Sequence, residues 1–210
     1  MKLGSKTLCF LVLIILSLQH CQIQTGGSAK EDNKLSKLSE SKNLNSSINS
    51  EPKELSCSIP ITMGKVYGTG LSKFDQTFIF TELKILLSDL CDKKFSHLLS
   101  LIHPNQGLYV DAKGYWTIEE VKNDLKDPNG YFQVYYFDQQ KLDQKKGSSG
   151  NLTVREVFLS AKHVSVDLYV SSSEEVEAKF RFVENPKLER YLINPSFIKS
   201  EGNWYLLRMF

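Results

Sequence analysis

The chain has 210 residues, 41% of them hydrophobic and 24% charged, with a formal net charge of +2. That length suits one domain plus extensions. So small a charge, on basic residues that do not cluster, argues against a nucleic-acid footprint or a polybasic membrane patch.

At the N-terminus, Lys2 and Lys6 precede an unbroken apolar run from Leu8 to Leu16, the charged and apolar parts of an export signal. The run is too short to span a bilayer, which takes about 20 apolar residues, because the polar Gln19 and His20 intervene. It ends in Ser17-Leu18-Gln19-His20-Cys21, with a Leu three residues before a Cys. This resembles the lipobox of bacterial lipoproteins, in the looser form in which Gln19 and His20 stand where small residues are usual. The resemblance implies that residues 1–20 are a lipoprotein signal peptide and that Cys21 becomes the lipid-bearing first residue of the mature chain. Gln22 lacks the Asp that commonly retains such proteins at the inner membrane, so an outer-membrane location is expected. Two or more acyl chains, at about 0.8 kcal/mol per buried methylene, would hold the chain durably at a membrane without spanning it. The alternative is an ordinary secretory signal cut near Thr25 or Ser28, with Cys21 discarded.

Residues 22 to 56 are rich in Ser, Asn, Lys, Glu and Gly, with isolated Leu and Ile at no regular period. Such a segment buries too little apolar surface to offset its ordering entropy, so residues 21–56 read as a lipidated N-terminus and tether. As a flexible coil it would reach roughly 30 Å. Residues 57–210 then form a single α+β domain. Cys57 and Cys91 are its only cysteines; in an oxidising compartment they either form a disulfide or stay as two free thiols. Neither has a second Cys or His nearby at metal-ligand spacing, and no cofactor motif is present.

Within the domain, Ile79, Leu83, Leu86 and Leu90 recur at helical spacing, and Phe95, Leu98, Leu99 and Ile102 repeat the pattern before Pro104. Gly107 to Asp111 reads as a short strand. Thr117-Ile118-Glu119-Glu120 is a capping box opening a helix that turns Ile118, Val121 and Leu125 inward and stops at Asp127-Pro128-Asn129-Gly130. Tyr131 to Asp138 reads as a strand with Phe132, Val134 and Tyr136 on one face. Asp143 to Gly150 reads as a polar loop, after which Thr153 and Glu156 cap either a short helix or a strand. His163 to Val170 and Val176 to Phe182 alternate as half-buried antiparallel strands, and two more run from Arg190 to Lys199 and from Asn203 to Phe210.

Helices first, then a strand, a helix and meandering strands that close on Glu201-Gly202-Asn203-Trp204-Tyr205-Leu206, resemble the nuclear transport factor 2-like superfamily over most of Lys73 to Phe210. The resemblance implies N-terminal helices packed on a strongly curved, mainly antiparallel, cone-like sheet around an open-ended apolar pocket. Some members use that pocket for catalysis and many only to bind or dimerise, so fold does not fix function.

Chemistry in such a pocket needs an ionisable base and an oxyanion donor. His103, Tyr109, Asp111 and Tyr135 stand near expected element ends and are the candidate pocket residues, although none aligns to a catalytic motif. A His before Pro at a helix end is more simply a C-terminal cap, Asp111 a turn residue, Trp116 and Trp204 core, and His97 a partly exposed helix residue. Asn45-Ser46-Ser47 and Asn151-Leu152-Thr153 fit the glycosylation sequon and matter only if the lipobox reading fails. The expectation is therefore a membrane-anchored exported lipoprotein whose domain binds a small hydrophobic ligand, an envelope component or a host protein without catalysis. The alternatives are an isomerase- or dehydratase-type enzyme using the same pocket, and a secreted glycoprotein.

Overall fold

A strand, not a helix, opens the domain. In the computed structural model, which describes residues 57–111 and 113–210, Ile61–Tyr67 form β1. The signal run, Cys21, the tether and the Asn45 sequon lie outside the described residues. β1 escapes sequence reading because Gly64 interrupts its alternation. At Gly64 the strand steps out of register between Met63 and Val66, and the Asp167 carboxylate accepts the Lys65 N–H at 2.8 Å. A Cβ on Gly64 would stand 2.3 Å from the Asp167 Oδ1, which is why the residue has no side chain.

α1 (Lys73–Cys91) follows, with Ser72 Oγ accepting the Asp75 N–H as N-cap. Its expected stripe, Ile79, Leu83, Leu86 and Leu90, is fully buried. α2 spans only Leu98–Leu101. β2 (Leu108–Val110) and β3 (Gly114–Trp116) make a short hairpin. α3 (Ile118–Asp124) carries the expected reciprocal capping box, although only Val121 of its apolar residues is fully buried.

The expected strand from Tyr131 to Asp138 is helical instead, with a π-helical turn at Gln133–Phe137. Local capping overrides the β-propensity of its aromatics: the Asp124 carboxylate accepts the N–H groups of Tyr131 and Phe132 at 2.7 and 2.9 Å, and Asp138 donates back to the Gln133 carbonyl. Phe132, Val134 and Tyr136 are still the buried set. The expected polar loop from Asp143 starts inside α4 (Gln139–Lys146), a helix with one buried residue, Leu142, and so no apolar period to read. α5 (Val154–Leu159) resolves the helix-or-strand alternative through the Thr153–Glu156 capping box.

β4 (Val164–Ser172) and β5 (Glu175–Phe182) form the long antiparallel pair. The expected strand from Arg190 to Lys199 is shortened to β6 (Ser196–Ser200), because a 3-10 helix opened by Pro186 takes Pro186–Tyr191. β7 (Asn203–Arg208) returns through Glu201 and Gly202, both at positive φ as a tight hairpin requires.

The seven strands lie in the order β1-β4-β5-β6-β7-β2-β3, with β1–β4 and β2–β7 parallel and the other pairs antiparallel. The domain is thus α+β with a mixed, mainly antiparallel sheet. Two finer expectations are corrected: β1 precedes the helices, and the sheet stays open at the β1 and β3 edges and does not give the cone-like form. Cys57 and Cys91 are joined by a disulfide, Cα to Cα 5.6 Å, tying the start of the domain to the end of α1. No helix among the described residues is long and apolar enough to cross a membrane.

Candidate functional site

Two of the concavities among the described residues lie at opposite poles of the sheet. The larger, about 660 Å³, lies where α1 begins and the β6–β7 hairpin turns. Asp75 sits at its floor, 7% exposed, and its carboxylate accepts hydrogen bonds from Ser72 Oγ at 2.7 Å, Trp204 Nε1 at 2.7 Å and Lys199 Nζ at 3.0 Å. The Ser72 hydroxyl, then the Trp204 indole and the Lys199 ammonium, hold this carboxyl down to about 2 against the opposing effect of burial. His97 lies in the same groove, its Nε2 2.5 Å from the buried Glu82 carboxylate. Ser100 Oγ is 3.3 Å from His97 Nδ1 but donates to the His97 carbonyl at 2.7 Å. The charges of this groove are mutually satisfied, and they fasten α1 to the terminal hairpin and to the loop before α2. Such an arrangement builds the fold and leaves few groups for a ligand.

The second concavity, about 350 Å³, lies at the other pole. The strand directions define that pole: β1, β4 and β6 begin there, and β5, β7 and β2 end there. Cys57, four residues ahead of β1, belongs to the same pole. Asp111 enters the pocket from the end of β2, Tyr131 and Tyr135 from the helical turn, and Phe210 from beyond β7. Arg190 and Tyr191 come from the 3-10 helix, and Lys146 from the last turn of α4.

Tyr131 and Tyr135 stack with ring centroids 4.7 Å apart. Their neighbour Tyr136 is wholly buried and donates its hydroxyl to the main-chain oxygen of Phe210, which fixes the pocket wall. Burial, then the negative charge of Asp111, raises the Tyr131 phenol well above its ordinary range, so it stays protonated with a proton to donate. Among the described residues the hydroxyls of Tyr131 and Tyr135 find no hydrogen-bond partner, and the Asp111 side chain none either. Lys146 lies over the Tyr135 ring at 5.5 Å and Arg190 over Tyr191 at 4.8 Å, and among the described residues neither has a carboxylate partner. Arg190 donates to the Tyr191 hydroxyl at 2.8 Å and Asn151 is held by Asp143, while Leu142, Leu152, Val154 and Ile193 supply the pocket with an apolar wall. Its volume falls at the small end of the roughly 300–1,000 Å³ usual for small-molecule sites.

Of the four residues singled out from sequence, the structure brings Asp111 and Tyr135 together in this pocket, while His103 and Tyr109 line neither concavity. His103 is buried and does not act as a cationic helix cap. Its Nδ1 accepts the N–H groups of Asn105 and Gln106, both at 3.1 Å, and its ring meets Tyr205 edge-on. Tyr109 packs edge-on against Tyr115 across the β2–β3 hairpin. Sequence reading missed Tyr131, Lys146, Arg190 and Tyr191, and the dense run Tyr131-Phe132-Gln133-Val134-Tyr135-Tyr136-Phe137 was the signal that could have led to the first. The Asn151 side-chain amide, the acceptor of the second sequon, is already committed to Asp143 Oδ1 and the Ser148 carbonyl, both at 2.7 Å. Among the described residues no group of three His, Cys, Asp or Glu could hold a metal ion. No protein-family model matches the chain, and neither a curated protein nor a solved structure shows significant similarity to it.

Proposed function

We propose that this chain is an exported lipoprotein, anchored through lipid on Cys21 at an outer membrane, whose folded domain binds a small ligand in the pocket of Tyr131, Tyr135 and Tyr191 without catalysis. The observation that carries the binding half is the contrast in polar bookkeeping: this pocket joins an apolar wall to the Tyr131 and Tyr135 phenols and to cations that have no carboxylate partner among the described residues. Membrane attachment rests on the Leu18-Gln19-His20-Cys21 pattern. Kinship with the nuclear transport factor 2-like superfamily rests on the antiparallel run β4–β7 and its terminal hairpin, with β1 as a departure from the expected order.

A second reading keeps the same pocket as an enzyme site, with Asp111 as base and Tyr131 as donor, since the two are close enough for the Asp111 charge to act on the phenol. Binding is preferred because the Asp111 side chain is exposed and no hydrogen bond among the described residues orients it toward a substrate.

Intact mass and detergent partitioning of the native protein beside a Cys21→Ala variant test the anchor. Acyl mass on Cys21, and loss of the variant from the detergent phase, are expected; a soluble mature chain beginning beyond Cys21 would overturn it. For the pocket, Tyr135→Ala is expected to abolish ligand capture while the domain stays folded.

A further inference from the structure

Resting on the binding reading above, we infer that the ligand is an amphiphile with an apolar body and one anionic group, its body against the tyrosines and its anion taken by Lys146 and Arg190. Three features of the pocket argue for this. The wall is made of tyrosine rings and aliphatic side chains, so most of what fills it is apolar. The rim carries Lys146 and Arg190 against the single carboxylate of Asp111, which leaves positive charge in excess among the groups that line the pocket. Finally, among the described residues these cations have no carboxylate partner: Lys146 rests on a tyrosine face, an interaction worth only about 0.5–1 kcal/mol at exposed sites, and Arg190 adds to such a contact one neutral hydrogen bond, to the Tyr191 hydroxyl at 2.8 Å. An anion offers them a charge-assisted hydrogen bond, roughly twice as strong as a neutral one such as that from Arg190 to the Tyr191 hydroxyl. Asp111 works in the opposite sense and disfavours a second negative charge beside Tyr131.

The groove at the opposite pole supplies the internal control, because its one cation on an aromatic face, Lys199 over Trp204, is already held by Asp75 at 3.0 Å.

The test uses the full chain carrying Cys21→Ala, so that no acyl group competes, titrated by calorimetry with 2-naphthylacetate, its neutral amide and 2-(2-naphthyl)ethylamine. The acetate is expected to bind at least tenfold tighter than the amide, with the amine weakest. The double variant Lys146→Ser with Arg190→Ser is expected to bring the acetate down to the affinity of the amide and leave the amide unchanged. Decanoate run in parallel names the source: tighter decanoate points to a lipid acyl chain, tighter naphthylacetate to an aromatic acid. An amide that binds as well as the acetate, yet is lost in Tyr135→Ala, would overturn the anionic class while leaving the binding pocket intact. Failure of every probe to saturate at millimolar concentration would overturn both readings.

Discussion

Each of the two concavities sets aromatic rings beside a lysine and a carboxylate, yet they spend them differently. Around Asp75 every charge meets a partner: Ser72, Lys199 and Trp204 converge on one carboxylate, and Glu82 meets His97. Around Tyr135 the cations lie on rings and the phenols end without partners among the described residues. Size alone would select the larger concavity, whose charges are the ones committed to one another. A converged network lowers the free energy of the fold, whereas groups left over after folding are available to a ligand.

The largest expected effect lies at the pocket's pole and concerns stability. Cys57→Ser removes a bridge across a sequence separation of 34 residues, which the chain-entropy account values at roughly 3–4 kcal/mol. Urea denaturation with and without reductant should show wild type losing that amount on reduction and the variant losing nothing further. An equal response of both would mean that the bridge does not form.

Next comes the joint. Asp75→Asn takes the charge from three hydrogen bonds and is expected to cost about 2 kcal/mol, in the range of a hydrogen bond to a charged group. Because the folded carboxyl titrates at about 2, below its ordinary 3.8, the stability it confers is present above that ordinary value and is lost as pH falls through about 2. Acid unfolding of Asp75→Asn should therefore be flatter between those values than that of wild type, with ligand affinity at neutral pH unchanged. A parallel acid profile would break the claim that this network holds the hairpin to α1.

These differences also mark what the sequence could disclose. The stripe Ile79, Leu83, Leu86 and Leu90, the capping box at Thr117 and the alternation in β4 and β5 were legible because each is a local pattern that tertiary contacts reinforce, whereas Thr153 and Glu156 left helix and strand both open. The helical turn at Tyr131 was not, because the group that caps it, Asp124, lies seven residues back and its role depends on the turn at Gly130. A Cβ on Gly130 would stand 2.4 Å from the Asp124 carbonyl oxygen. β1 was hidden by Gly64, which answers to Asp167, about a hundred residues away in the chain. For the site, Asp111 and Tyr135 were legible as polar groups at element ends. Lys146 and Arg190 were not, since a charged residue in a polar stretch reads as solvated until the fold sets it over a ring.

A smaller stability effect belongs to Tyr135→Ala. The ring is half-buried and stacked on Tyr131, so truncation should cost about 1–2 kcal/mol, less than a wholly buried aromatic. Its effect on ligand capture should exceed tenfold. A variant that loses stability but keeps affinity would turn the pocket into a second structural joint.

The smallest stability effect is the one that most sharpens the contrast. Lys146→Ser with Arg190→Ser removes two exposed cations whose partners among the described residues are ring faces and one tyrosine hydroxyl. Surface substitutions of this kind change stability by no more than about 0.5 kcal/mol each. Lys199→Ser at the opposite pole removes a cation hydrogen-bonded to a buried carboxylate and should cost more than both together. Thermal unfolding of the three proteins under one buffer decides the matter. If the pocket pair proves the costlier, its cations are holding the fold and are not free for an anion; if Lys199 does, charge at one pole is structural and at the other is reserved for binding.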